Sequence, residues 1–154
     1  MNRRFTLAVH MLGVIADHEL RCGEPATSEQ MAERINTNPV VVRRILSDLR
    51  DAGLVETKRG VGGGVWLARK PEAISLRDVY EAVEADTELL ALHPNPPSRS
   101  CSTAVNIEDY LRQVYGEAEE ALKRKLATVT VADLTRELMR RSATYMSHID
   151  HRMA

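Results

Sequence analysis

A mainly α-helical fold carrying one small β-hairpin is predicted by three features of the 154-residue sequence. Aromatics make up 4% of a chain that is 44% hydrophobic, so the core has to be built from Leu, Val, Ile and Ala, which favours helices. Apolar residues recur at spacings of three and four over most of the length. The exception is residues 55–70, VETKRGVGGGVWLARK, where four glycines fall within five positions between two short apolar runs.

The first 20 residues, MNRRFTLAVHMLGVIADHEL, set two arginines before an apolar stretch, the outline of a signal peptide. Phe5, Ala8, Val9, Leu12 and Ile15 instead recur at helical spacing with no small-residue cleavage site after them, which predicts a core helix ending near Asp17. RCGEPAT is a loop. Thr27 and Gln30 form a capping box that opens a second helix with Met31, Ala32 and Ile35 on its buried face. NTN at 36–38 breaks it, and Asn38-Pro39 starts a third helix with Asn as cap and Pro at the first position.

That third helix, PVVVRRILSDLRDAGL, groups Val42, Ile45, Leu46, Leu49 and Ala52 on one apolar face and stops at Gly53. Leu54-Val55 and Val65-Trp66-Leu67 read as partner strands with the glycines at their turn. Two short helices joined by a three-residue turn, followed by a hairpin, make a winged helix-turn-helix. Nucleotide readings of the glycines fail: Gly60-Val61-Gly62-Gly63-Gly64-Val65 lacks the last glycine of a dinucleotide fingerprint, and no Gly-Lys-Ser/Thr follows as in a P-loop.

Ser75 with Asp78 caps a fourth helix whose buried face is Leu76, Val79, Tyr80 and Val83. LHPNPPSRSCST is a Pro/Ser-rich loop. A helix of about 25 residues follows, with Ile107, Leu111, Val114, Ala118, Ala121 and Lys125 in one stripe and Leu122 and Leu126 in a neighbouring seam; this pattern suits dimerisation. Thr130 with Asp133 starts a last helix, VADLTRELMRR, before a polar tail. The organisation is thus a DNA-binding domain over 1–86, a loop over 87–103 that is a candidate sensor, a dimerisation helix over 104–128, and a C-terminal helix and tail over 129–154.

Net charge is −1, but residues 34–70 hold eight Lys/Arg against three Asp/Glu, a local excess of five positive charges. A basic block on a nearly neutral protein is the footprint of a polyanion-binding face. Opposite the apolar face of the third helix lie Val40, Arg43, Arg44, Ser47 and Asp51. Arg43 or Arg44 suits a bidentate bond to guanine, Ser47 a phosphate or base edge, and Val40 either a thymine methyl or plain exposure. Lys58 and Arg59, with Gly62 and Gly63 giving close backbone approach, suit a phosphate or the minor groove. Thr27 and Ser28 suit a phosphate at a helix N-terminus, although capping alone also explains them.

Two cysteines, Cys22 and Cys101, make no disulfide framework, and no apolar run is long enough for a membrane span, so a cytoplasmic protein is expected. His93 and Cys101 fall short of a structural zinc set. No nucleophile–base pair or paired carboxylates stand out, and no enzyme is expected.

On AGLV, RG-x-GGG and the Ile-Ser-Leu-x-x-Val-Tyr helix, the chain resembles the Rrf2 family of bacterial winged-helix transcription regulators over about residues 3–135. That family includes an iron–sulfur cluster regulator, a nitric-oxide-sensing repressor and a cysteine-metabolism repressor. NTNPVVVRR and HPNPPSRSC resemble a less characterised subgroup. The resemblance implies a homodimeric repressor whose paired long helices hold two winged domains over a pseudo-palindromic operator in double-stranded DNA, answering to a redox signal or small-molecule effector. Cluster-bearing members carry three cysteines before the long helix; residues 88–105 here hold Cys101 alone, so that cofactor is not expected. Cys101 reads equally as a thiol sensor or an ordinary cysteine. The rival readings are a protein-interaction module on the same scaffold and a metal or small-molecule sensor using the His93–Cys101 loop.

Overall fold

The computed structural model of the chain describes residues 3–84, 90–92, 94–95 and 102–153. Its elements run α1 (Arg4–Cys22), α2 (Ser28–Ile35), α3 (Pro39–Asp51), β1 (Val55–Lys58), β2 (Gly64–Leu67), a 3-10 turn (Pro71–Ala73), α4 (Leu76–Glu84), α5 (Ser102–Ala127) and α6 (Val131–Met153). The architecture is mainly helical with one small antiparallel sheet, as the sequence predicts.

One core joins the first four helices. Met11, Leu12 and Ile15 of α1 meet Met31 of α2, Val42, Ile45 and Leu49 of α3, and Val79 of α4, all at most 1% exposed. Burying a Leu, Ile or Met side chain contributes roughly 1.5–3 kcal/mol, so these apolar stripes carry the helix-turn-helix angle. Both caps predicted for the helix-turn-helix hold. Thr27 Oγ1 accepts from the Gln30 N–H at 3.2 Å while Gln30 Oε1 accepts from the Thr27 N–H at 2.9 Å. Asn38 Oδ1 accepts from the Val40 N–H at 2.8 Å, and Pro39 takes the first helical position.

Three boundaries differ from expectation, the first two for a physical reason. The first helix runs past Asp17 to Cys22, where Gly23 enters the left-handed region and donates to the Glu19 carbonyl at 2.9 Å. Its last turns bury His18 and engage Glu19, whose Oε1 accepts from the Leu67 N–H at 2.6 Å; polar residues continue the inward face there, so the apolar period fades. Ala52 is exposed and caps α3 instead of joining its apolar face; its carbonyl accepts from Arg69 Nη2 at 3.2 Å. The last helix continues through the expected polar tail to Met153, and Glu137 pairs with both Arg140 and Arg141 at 2.7 Å along it.

The hairpin pairs Val55 with Leu67, Glu56 with Trp66, Thr57 with Val65 and Lys58 with Gly64. A further bridge joins Val65 to Ala26, with N–H···O bonds of 2.8 and 3.2 Å, so the root of the wing is tied to the loop before α2. At the turn, a β-carbon on Gly63 would stand 2.4 Å from the Lys58 carbonyl oxygen, closer than any real side chain permits. Dense glycine here is a steric requirement of the hairpin.

A second bridge, Ser75 with Thr130, starts α4 and α6 beside one another. The α5 helix packs on α4, and the expected stripe divides, with Leu111 on the side of the Leu122–Leu126 seam. Leu111, Tyr115, Leu122 and Leu126 are half-buried, whereas Ile107, Tyr110, Val114, Ala118 and Ala121 are exposed.

Candidate nucleic-acid interface

The start of α2, the outer face of α3 and strand β1 enclose a hollow of about 400 Å³. Five predicted residues converge on it, namely Thr27, Ser28, Arg43, Ser47 and Lys58, together with Glu29, Arg50 and Thr57, which were not expected. Three cations, Arg43, Arg50 and Lys58, face one carboxylate there, so the hollow attracts anions.

Each cation is held differently. Arg43 Nη2 donates to Glu29 Oε1 at 3.2 Å, bridging α3 to α2. Arg50 Nη2 donates to Ser47 Oγ at 3.0 Å and pairs with Asp51 at 3.3 Å. Arg44 and Lys58 form no ion pair among the described residues. On the inner shoulder of α3, Asp48 pairs with Arg4 of α1.

The Glu29 carboxyl is held below the usual carboxylate range by its own backbone N–H, then by the Ser28 hydroxyl and Arg43. Glu19, beneath the wing, is pushed above that range by burial, opposed by the Leu67 N–H and reinforced by Glu56.

Other predicted residues lie around the hollow without lining it. Val40 is 60% exposed and Arg44 is exposed on the same side of α3. Arg59 and Gly62 are exposed at the hairpin turn, and Gly63 is half-buried there. Sequence reasoning passed over Val61, which stands wholly exposed at the wing tip between glycines. It also passed over Glu29, because an acid on a basic face carries no signal of its own. His93 and Cys101 lie outside the described residues. Cys22 is a free, exposed thiol, and the described residues contain no group of three or more His, Cys, Asp or Glu able to hold a metal ion.

A second hollow, about 620 Å³, opens between α1, α2 and α6. Val9, Val14, Ile35 and Leu138 are among its apolar walls, and Asp17, Arg21 and Arg34 also line it. None of the predicted site residues belongs to it. Among the described residues no helix is long and apolar enough to cross a membrane.

Comparison with known proteins agrees with this architecture. The profile of the Rrf2 family, described as an iron-dependent transcriptional regulator, matches residues 1–137. The chain is 35% identical over 138 residues to the provisionally named HTH-type transcriptional regulator YwnA of Bacillus subtilis (strain 168), covering 90% of this chain and 98% of that protein. It is 33% identical over 118 residues to protein rrf2 of Nitratidesulfovibrio vulgaris, covering 74% and 73% of the two chains. A crystal structure of a provisionally assigned transcriptional regulator from Lactobacillus plantarum superposes with a TM-score of 0.76 at 25% identity, over 98% of this chain and 99% of that one. The chain belongs to the Rrf2 family and is a DNA-binding transcription regulator.

Proposed function

We propose that the chain works as a homodimeric repressor, with α3 reading base edges in the major groove and the wing gripping the adjoining backbone. The observation that carries this reading is the convergence of Thr27, Ser28, Arg43, Ser47 and Lys58 on one cationic hollow beside the exposed flank of α3. Such a hollow suits a phosphate next to the groove that α3 enters. Arg43 and Arg44 supply guanine contacts, Val40 meets a thymine methyl, and Lys58 and Arg59 neutralise phosphates. Gly62 and Gly63 let the wing backbone approach the duplex.

The exposed stripe Ile107, Val114, Ala118 and Ala121 of α5, bordered by the half-buried Leu111 and Leu122, is the proposed dimer seam. Pairing two chains through it would present two α3 helices to the two halves of a pseudo-palindrome. A redox or small-molecule signal acting through the segment that holds Cys101 completes the proposal; comparing oxidised wild type with Cys101→Ser tests it. A conventional three-cysteine iron–sulfur cluster, one way to read the iron in the family's description, does not fit these residues. Two cysteines in the whole chain cannot supply three thiolates, and the described residues hold no other ligand cluster.

The test is DNA binding by the full chain with Arg43 and Arg44 both changed to Ala. Each bidentate guanine contact is worth about 1–3 kcal/mol of discrimination. The double variant should fold and bind non-specifically but lose its preference for a selected site over scrambled DNA. A preference that survives both changes refutes the assignment of α3.

A further inference from the structure

We propose that Glu29 is a specificity-determining residue of the DNA interface, acting as a positioning residue that holds Arg43 in line for a guanine edge. This rests on the DNA-binding reading above and adds to it the residue that aims the reader.

An ionised carboxylate on a DNA-facing surface works against binding, because every nearby phosphate repels it. Glu29 lies in the midst of that surface, in the hollow shared by Arg43, Arg50 and Lys58. Its carboxylate is not loose. Ser28 Oγ donates to Oε2 at 3.0 Å, and Arg43 Nη2 donates to Oε1 at 3.2 Å. Ser28 and Glu29 open a helix whose entry is locked by the Thr27–Gln30 box, so the carboxylate is set from a fixed base.

What it holds is one prong of a five-donor fork. With Nη2 committed to Glu29, the other donors of Arg43 remain to pair with guanine O6 and N7. A guanidinium fixed in advance gives up less rotamer freedom on binding than a free one, and the carboxylate discourages it from folding back onto a phosphate. The free pair is largely exposed, at 60% and 68% for the two side chains. Seating DNA over the hollow would remove water from the pair and strengthen it when it matters. Lys58, without an ion pair among the described residues, keeps the phosphate role. The interface thereby divides its cations between position and sequence.

The experiment selects the preferred site of the wild-type chain from a randomised duplex library. Fluorescence anisotropy then measures every single-base variant of that site against wild type, Glu29→Ala, Glu29→Gln, Arg43→Ala and the Glu29→Ala/Arg43→Ala double variant. Arg43→Ala identifies the guanine position that Arg43 reads. Glu29→Ala should cost roughly tenfold in discrimination at that same position, leave the others intact, and raise affinity for scrambled DNA. Glu29→Gln, which keeps an acceptor oxygen without the charge, should retain more discrimination than Ala. In the Arg43→Ala background the Glu29 change should remove no further discrimination.

Unchanged discrimination at the Arg43 position in Glu29→Ala overturns the proposal while leaving DNA reading in place. Loss spread evenly over all positions also overturns it, since that marks a merely structural contact between α2 and α3. A wild-type chain that selects no site overturns the DNA-reading account and this inference with it.

Discussion

Gly64 and Pro25 approach so closely that a β-carbon on Gly64 would stand 2.8 Å from the Pro25 Cβ, and 3.0 Å from the Ala26 carbonyl oxygen. This contact fastens the start of β2 to the loop before α2, beside the Ala26–Val65 bridge. It fixes the wing relative to the helix-turn-helix, which decides whether Lys58 and Arg43 can address one stretch of duplex. Gly64→Ala is expected to cost about 1–3 kcal/mol, the usual penalty of overpacking, and to weaken DNA binding with it. Gly116→Ala is the matched control: it lies within α5 with no atom within 4 Å of the added carbon, so it should stabilise by roughly 1 kcal/mol. Urea unfolding of the two variants should move in opposite directions.

Ser75 and Thr130 cap α4 and α6 from the same bridge, with Leu76 N–H donating to the Val129 carbonyl at 2.8 Å and Val131 N–H to that of Ile74 at 2.9 Å. Thr130 Oγ1 accepts from the Asp133 N–H at 3.1 Å and donates to Asp133 Oδ2 at 2.8 Å. Thr130→Ala should cost about 0.5–2 kcal/mol, as loss of an N-cap does. Thermal unfolding should show it as a lowered midpoint, while Thr128→Ala, on an exposed residue, should change it far less.

Acid should loosen α6. Hydrogen bonds from Arg140 and Arg141 lower the Glu137 carboxyl from 4.5 to about 2, and Asp133 is held low by the Thr130 N–H, the Thr130 hydroxyl and Arg136. A carboxyl with a depressed folded value stabilises fully above its unfolded value and loses that contribution as pH falls towards the folded one. Glu19 has the opposite sign: burial raises it, so acid relieves its cost instead. Helicity at 222 nm should therefore fall between pH 4.5 and about 2, and less so in Glu137→Gln.

Ile107 and Val114 are 54% and 37% exposed on α5, bare apolar surface of the kind that a second copy would cover. Changing both to Asp should convert a dimer to a monomer in sedimentation equilibrium. The helix should remain folded, since its other seam still packs on α4. Operator affinity should drop by more than tenfold, because each half-site would then be bound without its neighbour.

The helix-turn-helix was legible because its signals are local. Thr27–Gln30, Asn38-Pro39 and the Val42–Leu49 stripe each fix an element within a few residues. The wing was legible from its glycines, but the reason for them was not: the obstruction at Gly64 comes from Pro25, far away in sequence. The same distance hid Glu29, whose meaning depends on Arg43 arriving from the next helix. The end of α1 was misplaced because His18 and Glu19 face inward as polar residues.

The most direct test of the central claim is the salt dependence of binding by the reduced wild-type chain to its library-selected duplex and to a scrambled one. The account predicts that both affinities fall steeply as salt rises, since phosphates release counterions, while a preference of at least a thousandfold survives near physiological salt, about what specific regulators show. Equal affinities for the two duplexes at every salt concentration would contradict it.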